Sequence, residues 1–240
     1  MAQQENPASQ LIEPVATVIS PYREKFGIPR QPGLVPAARG LLQVLPGYDD
    51  PRAFEGIEGF SHLWVIFGFH ACKGQWRTRV RPPRLGGNQE MGVFATRSPF
   101  RPNNLGLSVL RFEGMETDSG GLKLGVSGLD MQHGTPVYDI KPYVPYADSL
   151  PEACSGFALD SPAPTLKVAF ARRARNALQA LGDRGALEDL IRQTLVLDPR
   201  PAYRQGESSA RIYGMRLDDY DVRWTAQGDQ VVVEEILPIR

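Results

Sequence analysis

The chain has 240 residues, with 27 Lys and Arg balancing 27 Asp and Glu, 42% hydrophobic residues, and a heavy load of turn-formers at 24 Gly and 21 Pro. Zero formal charge excludes a strongly basic protein that coats nucleic acid indiscriminately, and the apolar fraction excludes a disordered or collagen-like chain. No stretch approaches the roughly eighteen consecutive apolar residues of a membrane span, and the opening MAQQENPASQ lacks the basic-then-apolar layout of a secretory signal, so a cytoplasmic protein is expected.

In chain order, short runs rich in Val, Ile and Phe and punctuated by Gly and Pro predict strands at Val15–Ile19, Gly40–Leu45, His62–Phe69, Met91–Ala95, Leu105–Phe112, Leu122–Leu129 and Thr135–Ile140. His62–Phe69 (HLWVIFGF) is apolar on both faces and is expected at the centre of a sheet. Short strands without intervening long helices predict a mainly β fold, an antiparallel or mixed barrel, over residues 1–155. After Ser155 the pattern changes. Phe170, Ala174, Ala177, Leu178 and Leu181 recur at helical spacing and predict a helix over Leu166–Leu181, stopped by Gly182. A second helix is expected from Gly185 to Leu197 on the stripe Leu187, Leu190, Ile191, Thr194 and Leu195. Strands follow at Ala210–Leu217, Tyr220–Ala226 and Gln230–Leu237, the last two joined through Gln227-Gly228-Asp229, so residues 156–240 read as a small α+β domain.

Several chemistries are excluded by what is missing. There is no Gly-x-Gly, hence no dinucleotide fingerprint, and no Gly-x(4)-Gly-Lys phosphate loop or Gly-x-Ser-x-Gly elbow. Cys72 and Cys154 are far apart and are expected as reduced thiols; with His62, His70 and His133 scattered, no metal site is expected. The charge balance conceals one local excess: Lys73, Arg77, Arg79, Arg81, Arg84, Arg97 and Arg101 face only Glu90.

Three polar loops set side-chain donors beside stiff backbone: Tyr22–Pro32 (YREKFGIPRQP), Thr96–Gly106 (TRSPFRPNNLG) and Asp130–Tyr146 (DMQHGTPVYDIKPYVPY). Each alone is a stiff surface turn, but three together favour a pocket built on loops over a rigid scaffold.

The segments PYREKFGIPRQPGLV, RPPRLGGNQEMGVFATRSPFRPNNLGLS and LDMQHGTPVYDIKPYVPYADS, in that order, resemble the signature blocks of the TsaA-like family, the TrmO type of bacterial tRNA methyltransferases. The tail DPRPAYRQGESSARIYGMRLDDYDVRW resembles that family's small C-terminal domain, so the likeness covers nearly the whole chain. It implies transfer of a methyl group from S-adenosyl-L-methionine to N6 of threonylcarbamoyladenosine, next to the anticodon of tRNA. It also implies a single-sheeted β-barrel that binds the donor without a Rossmann domain, and a homodimer with donor sites near the subunit contact. On the family pattern the donor lies against Arg30, Gln31, Pro32, His70, Ala71, Arg97, Leu107, Asp130, Met131, His133, Gly134 and Thr135. Arg97 is expected to meet the donor carboxylate, and backbone amides around Gly134 to hold its adenine or ribose edges.

The acceptor nitrogen needs its proton weakened, for which Asp139 is the first candidate and Tyr143 the second, with Lys141 counted among the catalytic residues; the alternative for Asp139 is a carboxylate paired with Lys141 or a turn amide. Arg77, Arg79, Arg81 and Arg84 are expected on phosphates of the anticodon arm, Arg101 and Asn103 near the modified base, and Arg200, Tyr203, Arg204, Tyr213 and Arg216 as a second RNA contact. Departures from the family pattern fall at Gln132-His133, where an apolar residue and an acid are expected, and at Asn104, where proline is common. Two other readings are a same-fold methyltransferase for a small molecule or another RNA, and a nucleotide-binding module without catalysis.

Overall fold

The computed structural model describes residues 10–72, 76–182, 185–201 and 209–239. The first half is built from β1 (Ala16–Ile19), β2 (Arg39–Val44), β3 (His62–Gly68), the two-residue strands β4 (Arg79–Val80) and β5 (Met91–Gly92), β6 (Leu105–Asp118), β7 (Gly121–Ser127) and β8 (Pro136–Pro142). A one-turn helix, α1 (Pro145–Asp148), leads into the second half: β9 (Lys167–Phe170), α2 (Arg172–Ala180), α3 (Ala186–Val196), β10 (Ser209–Leu217), β11 (Tyr220–Gln227) and β12 (Gln230–Pro238). Mainly β architecture is therefore observed.

Six strands hydrogen-bond in the cyclic order β1-β2-β7-β6-β3-β8, and β8 returns to β1 through Ala16 opposite Val137. β3 is central, as its two apolar faces predict: it pairs with β6 on one side and β8 on the other. Leu63, Val65 and Phe67 point inward with Leu110, Leu124 and Val126, while Trp64, Ile66, Leu107 and Val109 alternate onto the outer face. The ring is tight enough that Gly40 passes β1 with no room for a side chain: a Cβ there would meet the Ile19 carbonyl at 2.2 Å.

Three expectations are corrected. Met91–Ala95 is a strand only at Met91–Gly92, after which Val93–Ala95 curls into a 3-10 turn closed by Thr96 N–H on the Val93 carbonyl. The helix predicted from Leu166 begins at Arg172, because Lys167–Phe170 pairs in parallel with Gln230–Val233 of β12. The strand predicted to end at Phe112 runs on to Asp118; Gly114, at φ 130, carries the bulge that lets it continue against β7.

The second sheet has the order β10-β11-β12-β9. The α3 stripe Leu187, Leu190, Ile191, Thr194 and Leu195 is buried as predicted. The two sheets share one hydrophobic core, which runs from Val18 and Leu42 through Tyr22 to Met215, Leu217 and Trp224. Polar contacts cross the same seam: Tyr22 bridges Leu217, Arg23 pairs with Asp219 at 3.1 Å, and the Gln193 side chain accepts from Ala37 N–H at 2.9 Å. Among the described residues no helix is long and apolar enough to cross a membrane.

Candidate functional site

One rim of the strand ring collects the C-terminal ends of β1, β3 and β7 and the N-terminal ends of β2, β6 and β8. The loops on this rim are tied to one another through the backbone. Gly33 N–H donates to the Gly128 carbonyl at 2.9 Å, Phe69 N–H to Asn104 at 2.8 Å, and His133 N–H to Tyr22 at 2.8 Å. Gly128 has φ 75, and a Cβ on it would stand 3.0 Å from Gly33 Cα, so the turn after β7 and the Gln31–Gly33 turn stack directly.

The polar side chains converge there. Arg97 donates from Nη1 to Gln31 Oε1 at 2.6 Å, joining the first and second polar loops. Asp130, on the turn after β7, accepts at Oδ1 from Ser108 Oγ of β6 at 2.8 Å. Burial pushes the Asp130 carboxyl up to about 6, against the Ser108 hydrogen bond and the attraction of Arg97. Thr135 Oγ1 lies 3.4 Å from His70 Nδ1, which brings the single turn after β3 to the same place. Gln31, His70, Arg97, Asp130 and Thr135, five of the residues expected at the donor, are thus assembled from four separated segments.

Other expected residues are placed differently. Met131 is 2% exposed and belongs to the core beneath the turn. The amides of His133, Gly134 and Thr135 are engaged by Tyr22, Val18 and Gln132 carbonyls, so the amides proposed to hold adenine or ribose edges are spent inside the fold. Gly134 has open space above it, with no atom within 4 Å of where a Cβ would stand, which leaves the face of the turn rather than its N–H groups accessible. Arg30, Ala71, Leu107 and His133 are exposed, and Pro32 is half-buried.

The two departures have local explanations. Asn104 sits at φ 48 and donates from its side chain to the Pro99 carbonyl at 2.7 Å; proline, with φ fixed near −65°, is excluded from that backbone. Gln132 donates to the Arg23 carbonyl at 3.2 Å, and burial followed by Arg23 lowers the His133 pKa, so this pair ties the turn to the Tyr22–Pro32 loop.

Asp139 is on β8, inside the strand predicted at Thr135–Ile140, and its carboxylate pairs with Lys141 at 2.8 Å. It shares the outer face with Leu107, each opposite Ile66 of β3, two strand spacings or roughly 10 Å apart. Tyr143 lies roughly 13 Å farther along, by the opposite rim, packed on Trp64 with ring centroids 5.9 Å apart. Within one chain Tyr143 therefore lies at the rim opposite Gln31, Arg97 and Asp130.

Arg77, Arg79, Arg81, Arg84 and Arg97 of the basic run are exposed, and Lys73 lies outside the described residues. Arg79 and Arg81 share Glu90, each at 3.3 Å, Arg77 lies over the Phe100 ring at 4.7 Å, and Arg84 donates to the Asp160 carbonyl. Arg101 is instead a brace, donating to the Val93 and Thr96 carbonyls at 3.2 and 2.6 Å; Asn103 is exposed beside it. Arg200 is a clear correction: its side chain is 1% exposed and its Nε and Nη2 meet both oxygens of Asp198 at 2.7 and 2.9 Å. A side chain so enclosed does not reach an RNA phosphate. Tyr213 stacks on buried Trp224 at 4.6 Å, while Tyr203 and Arg204 lie outside the described residues.

Comparison with known proteins places this arrangement. The tRNA-methyltransferase O N-terminal domain model matches residues 17–149, and the TrmO C-terminal domain model matches residues 163–239. The chain is 47% identical over 214 residues to the tRNA (adenine(37)-N6)-methyltransferase of Escherichia coli K12, covering 88% of this chain and 91% of that one. It is 49% identical over 216 residues to a putative S-adenosylmethionine-dependent methyltransferase, RcsF, of Pseudomonas aeruginosa, covering 89% and 91%. The crystal structure of TrmO from Pseudomonas aeruginosa superposes with a TM-score of 0.80 at 40% identity, covering 96% of this chain and 99% of that chain. The class so defined is that of S-adenosyl-L-methionine-dependent tRNA methyltransferases. Within it, the chain belongs to the tRNA-methyltransferase O family.

The residues of the rim fit such a donor: a cationic Arg97 suits its carboxylate, a carboxylate at Asp130 suits its cationic groups, and exposed Leu107 and half-buried Pro32 offer apolar surface to a nucleoside.

Proposed function

We propose that this protein methylates N6 of adenine 37 in tRNA, and that the adenine it accepts carries a threonylcarbamoyl group. The observation that carries the reading is the convergence of Gln31, Arg97, Asp130 and the His70–Thr135 pair on one rim, in a chain that matches the Escherichia coli tRNA (adenine(37)-N6)-methyltransferase over most of both lengths. The ring of strands serves as a single-sheeted β-barrel that binds the donor without a Rossmann fold. Residues 1–155 form the methyltransferase domain and residues 156–240 the C-terminal domain, working in the cytoplasm as a homodimer. The apolar outer strip of Leu107, Ile66 and Val109 is the face available for the subunit contact.

When bound, S-adenosyl-L-methionine supplies a methyl group already activated on a sulfonium, so neither a metal nor a protein nucleophile is required. The chain's part is to align nitrogen, methyl and sulfur and to exclude water. Arg97, aimed by Gln31, holds the donor's carboxylate. Asp139, paired with Lys141, accepts the proton that N6 sheds. Arg77, Arg79, Arg81 and Arg84 lie along the phosphates of the anticodon arm.

The substrate is tested with tRNA purified from cells able and unable to install the threonylcarbamoyl group. Methylation of the modified tRNA alone is expected, and Asp139→Asn is expected to lower turnover at least about tenfold with donor affinity unchanged. Equal methylation of both tRNAs overturns the substrate, and full turnover of Asp139→Asn makes Asp139 structural. For the RNA face, Arg81→Ala is expected to reduce the slope of log affinity against log salt by about one. An unchanged slope removes Arg81 from the phosphate contacts.

A further inference from the structure

Along the chain between the exposed arginines and the rim stands an aromatic ring that packs into no core. β4 and β5 pair through Arg79 opposite Gly92. The hairpin closes where Val93 N–H donates to the Thr78 carbonyl at 3.0 Å and Arg77 N–H to the Phe100 carbonyl at 3.1 Å. Phe94 lies on the 3-10 turn that follows, Val93–Ala95. Val93 is 1% exposed and anchors the turn, whereas Phe94 points outward and is 73% exposed. Arg97, whose guanidinium meets Gln31 on the rim, follows three residues later, within roughly 10 Å of chain.

A single exposed apolar side chain is ordinary on a protein surface. Phe94 differs in being aimed. The Arg101 guanidinium lies over its ring, 5.5 Å from the centroid, and is itself fixed by Nη1 donating to the Val93 and Thr96 carbonyls at 3.2 and 2.6 Å. Those carbonyls belong to the turn that carries Phe94, so ring and cation are held as one unit. Among the described residues no other aromatic ring packs against it. A flat ring backed by a cation and open to solvent, on a segment of exposed arginines, has the composition of a surface on which unpaired bases stack.

We propose that Phe94 stacks on an unpaired base of the anticodon loop, one that flanks adenine 37. The proposal rests on the reading of this protein as an adenine 37 methyltransferase and deepens it by naming a base contact. An enzyme that acts on a base draws it out of its stack, which leaves the flanking base without a neighbour. The Phe94 ring replaces that neighbour. Arg77, Arg79, Arg81 and Arg84 of the same segment take phosphates of the arm, so one hairpin holds both backbone and base. Every base has a π-face, so the contact positions the loop without selecting a particular flanking base.

The contact is tested by the affinity of native protein and Phe94→Leu for three tRNAs: the intact substrate, and two forms lacking the base on the 5′ or the 3′ side of adenine 37. Phe94→Leu is expected to weaken the intact tRNA about tenfold. The slope of log affinity against log salt is expected to stay the same, since no charge is removed. On one of the two abasic forms the same substitution is expected to cost less than about twofold, because the base that the ring meets is gone. Phe94→Tyr, which keeps the ring, is expected within about twofold of native on intact tRNA, and Phe94→Leu is expected to bind S-adenosylhomocysteine as the native protein does. No loss on intact tRNA, an equal loss on all three tRNAs, or weakened S-adenosylhomocysteine in Phe94→Leu overturns the assignment. A native protein that leaves adenine 37 of the intact tRNA unmethylated overturns the methyltransferase reading and the assignment with it, whereas failure at Phe94 alone leaves that reading standing.

Discussion

Replacing Asp198 by alanine is expected to destabilise the protein by about 3–5 kcal/mol. The Arg200 guanidinium is 1% exposed, and its Nε and Nη2 contact the two Asp198 oxygens at 2.7 and 2.9 Å. Taking away the carboxylate removes the counter-charge that offsets the desolvation of this buried cation. Asp198 adds a second, smaller contribution through its backbone, since it sits at φ 49, where an alanine side chain is strained by about 1 kcal/mol. Asp198→Gly separates the two, because glycine adopts that φ without strain. Denaturant unfolding followed by tryptophan fluorescence reads both variants, with buried Trp224 as the reporter of the second sheet. If glycine restores most of the loss, the ion pair is not what holds this corner together. Since Asp198 also attracts Arg30, loss of the pair is expected to reach the Tyr22–Pro32 loop.

The second large effect has the opposite sign. Asp130→Asn is expected to stabilise the ligand-free protein at pH 8 by about 3 kcal/mol, the free-energy equivalent of a carboxyl raised by burial from 3.8 to about 6. The native fold holds the Asp130 proton more tightly than the unfolded chain does. Its favourable contribution is therefore complete below pH 3.8 and lost as the pH rises through about 6. Asparagine is neutral at every pH and can still accept from Ser108. Its advantage is thus expected at pH 8 and absent by pH of about 4, in unfolding titrations of the two proteins side by side. A difference that does not change between those two pH values contradicts the burial of an ionised Asp130.

Much of the architecture is legible in local pattern. HLWVIFGF is apolar on both faces because β3 has a neighbour on each side and core within, and the α3 stripe is buried at every position its spacing marks. What local pattern misses depends on partners distant in sequence. Lys167–Phe170 continues the helical spacing of α2 into Phe170, and only the β12 strand, some sixty residues on, draws it into a sheet. Gly114 reads as a stop and is a bulge, because β7 is long enough to keep pairing beyond it.

The site divides in the same way. Asp139 and Lys141 are two apart on one strand, hence on one face, so their ion pair is legible in the sequence. Arg200 reads as a surface arginine, although Asp198, two residues earlier, is the signal of its partner. The Arg97–Gln31 and Ser108–Asp130 contacts join segments separated by 66 and 22 residues, and neither follows from spacing. Resemblance to a family supplies the candidate donor residues, and the fold brings Gln31, His70, Arg97, Asp130 and Thr135 to one rim.

The most direct measurement is transfer of labelled methyl from S-adenosyl-L-methionine to purified tRNA, followed by digestion and mapping of the labelled nucleoside. Label at N6 of the threonylcarbamoylated adenine 37, appearing only with active protein and lost in Arg97→Ala, is the predicted result. Label at another position or on another RNA, with adenine 37 unmodified, contradicts the account.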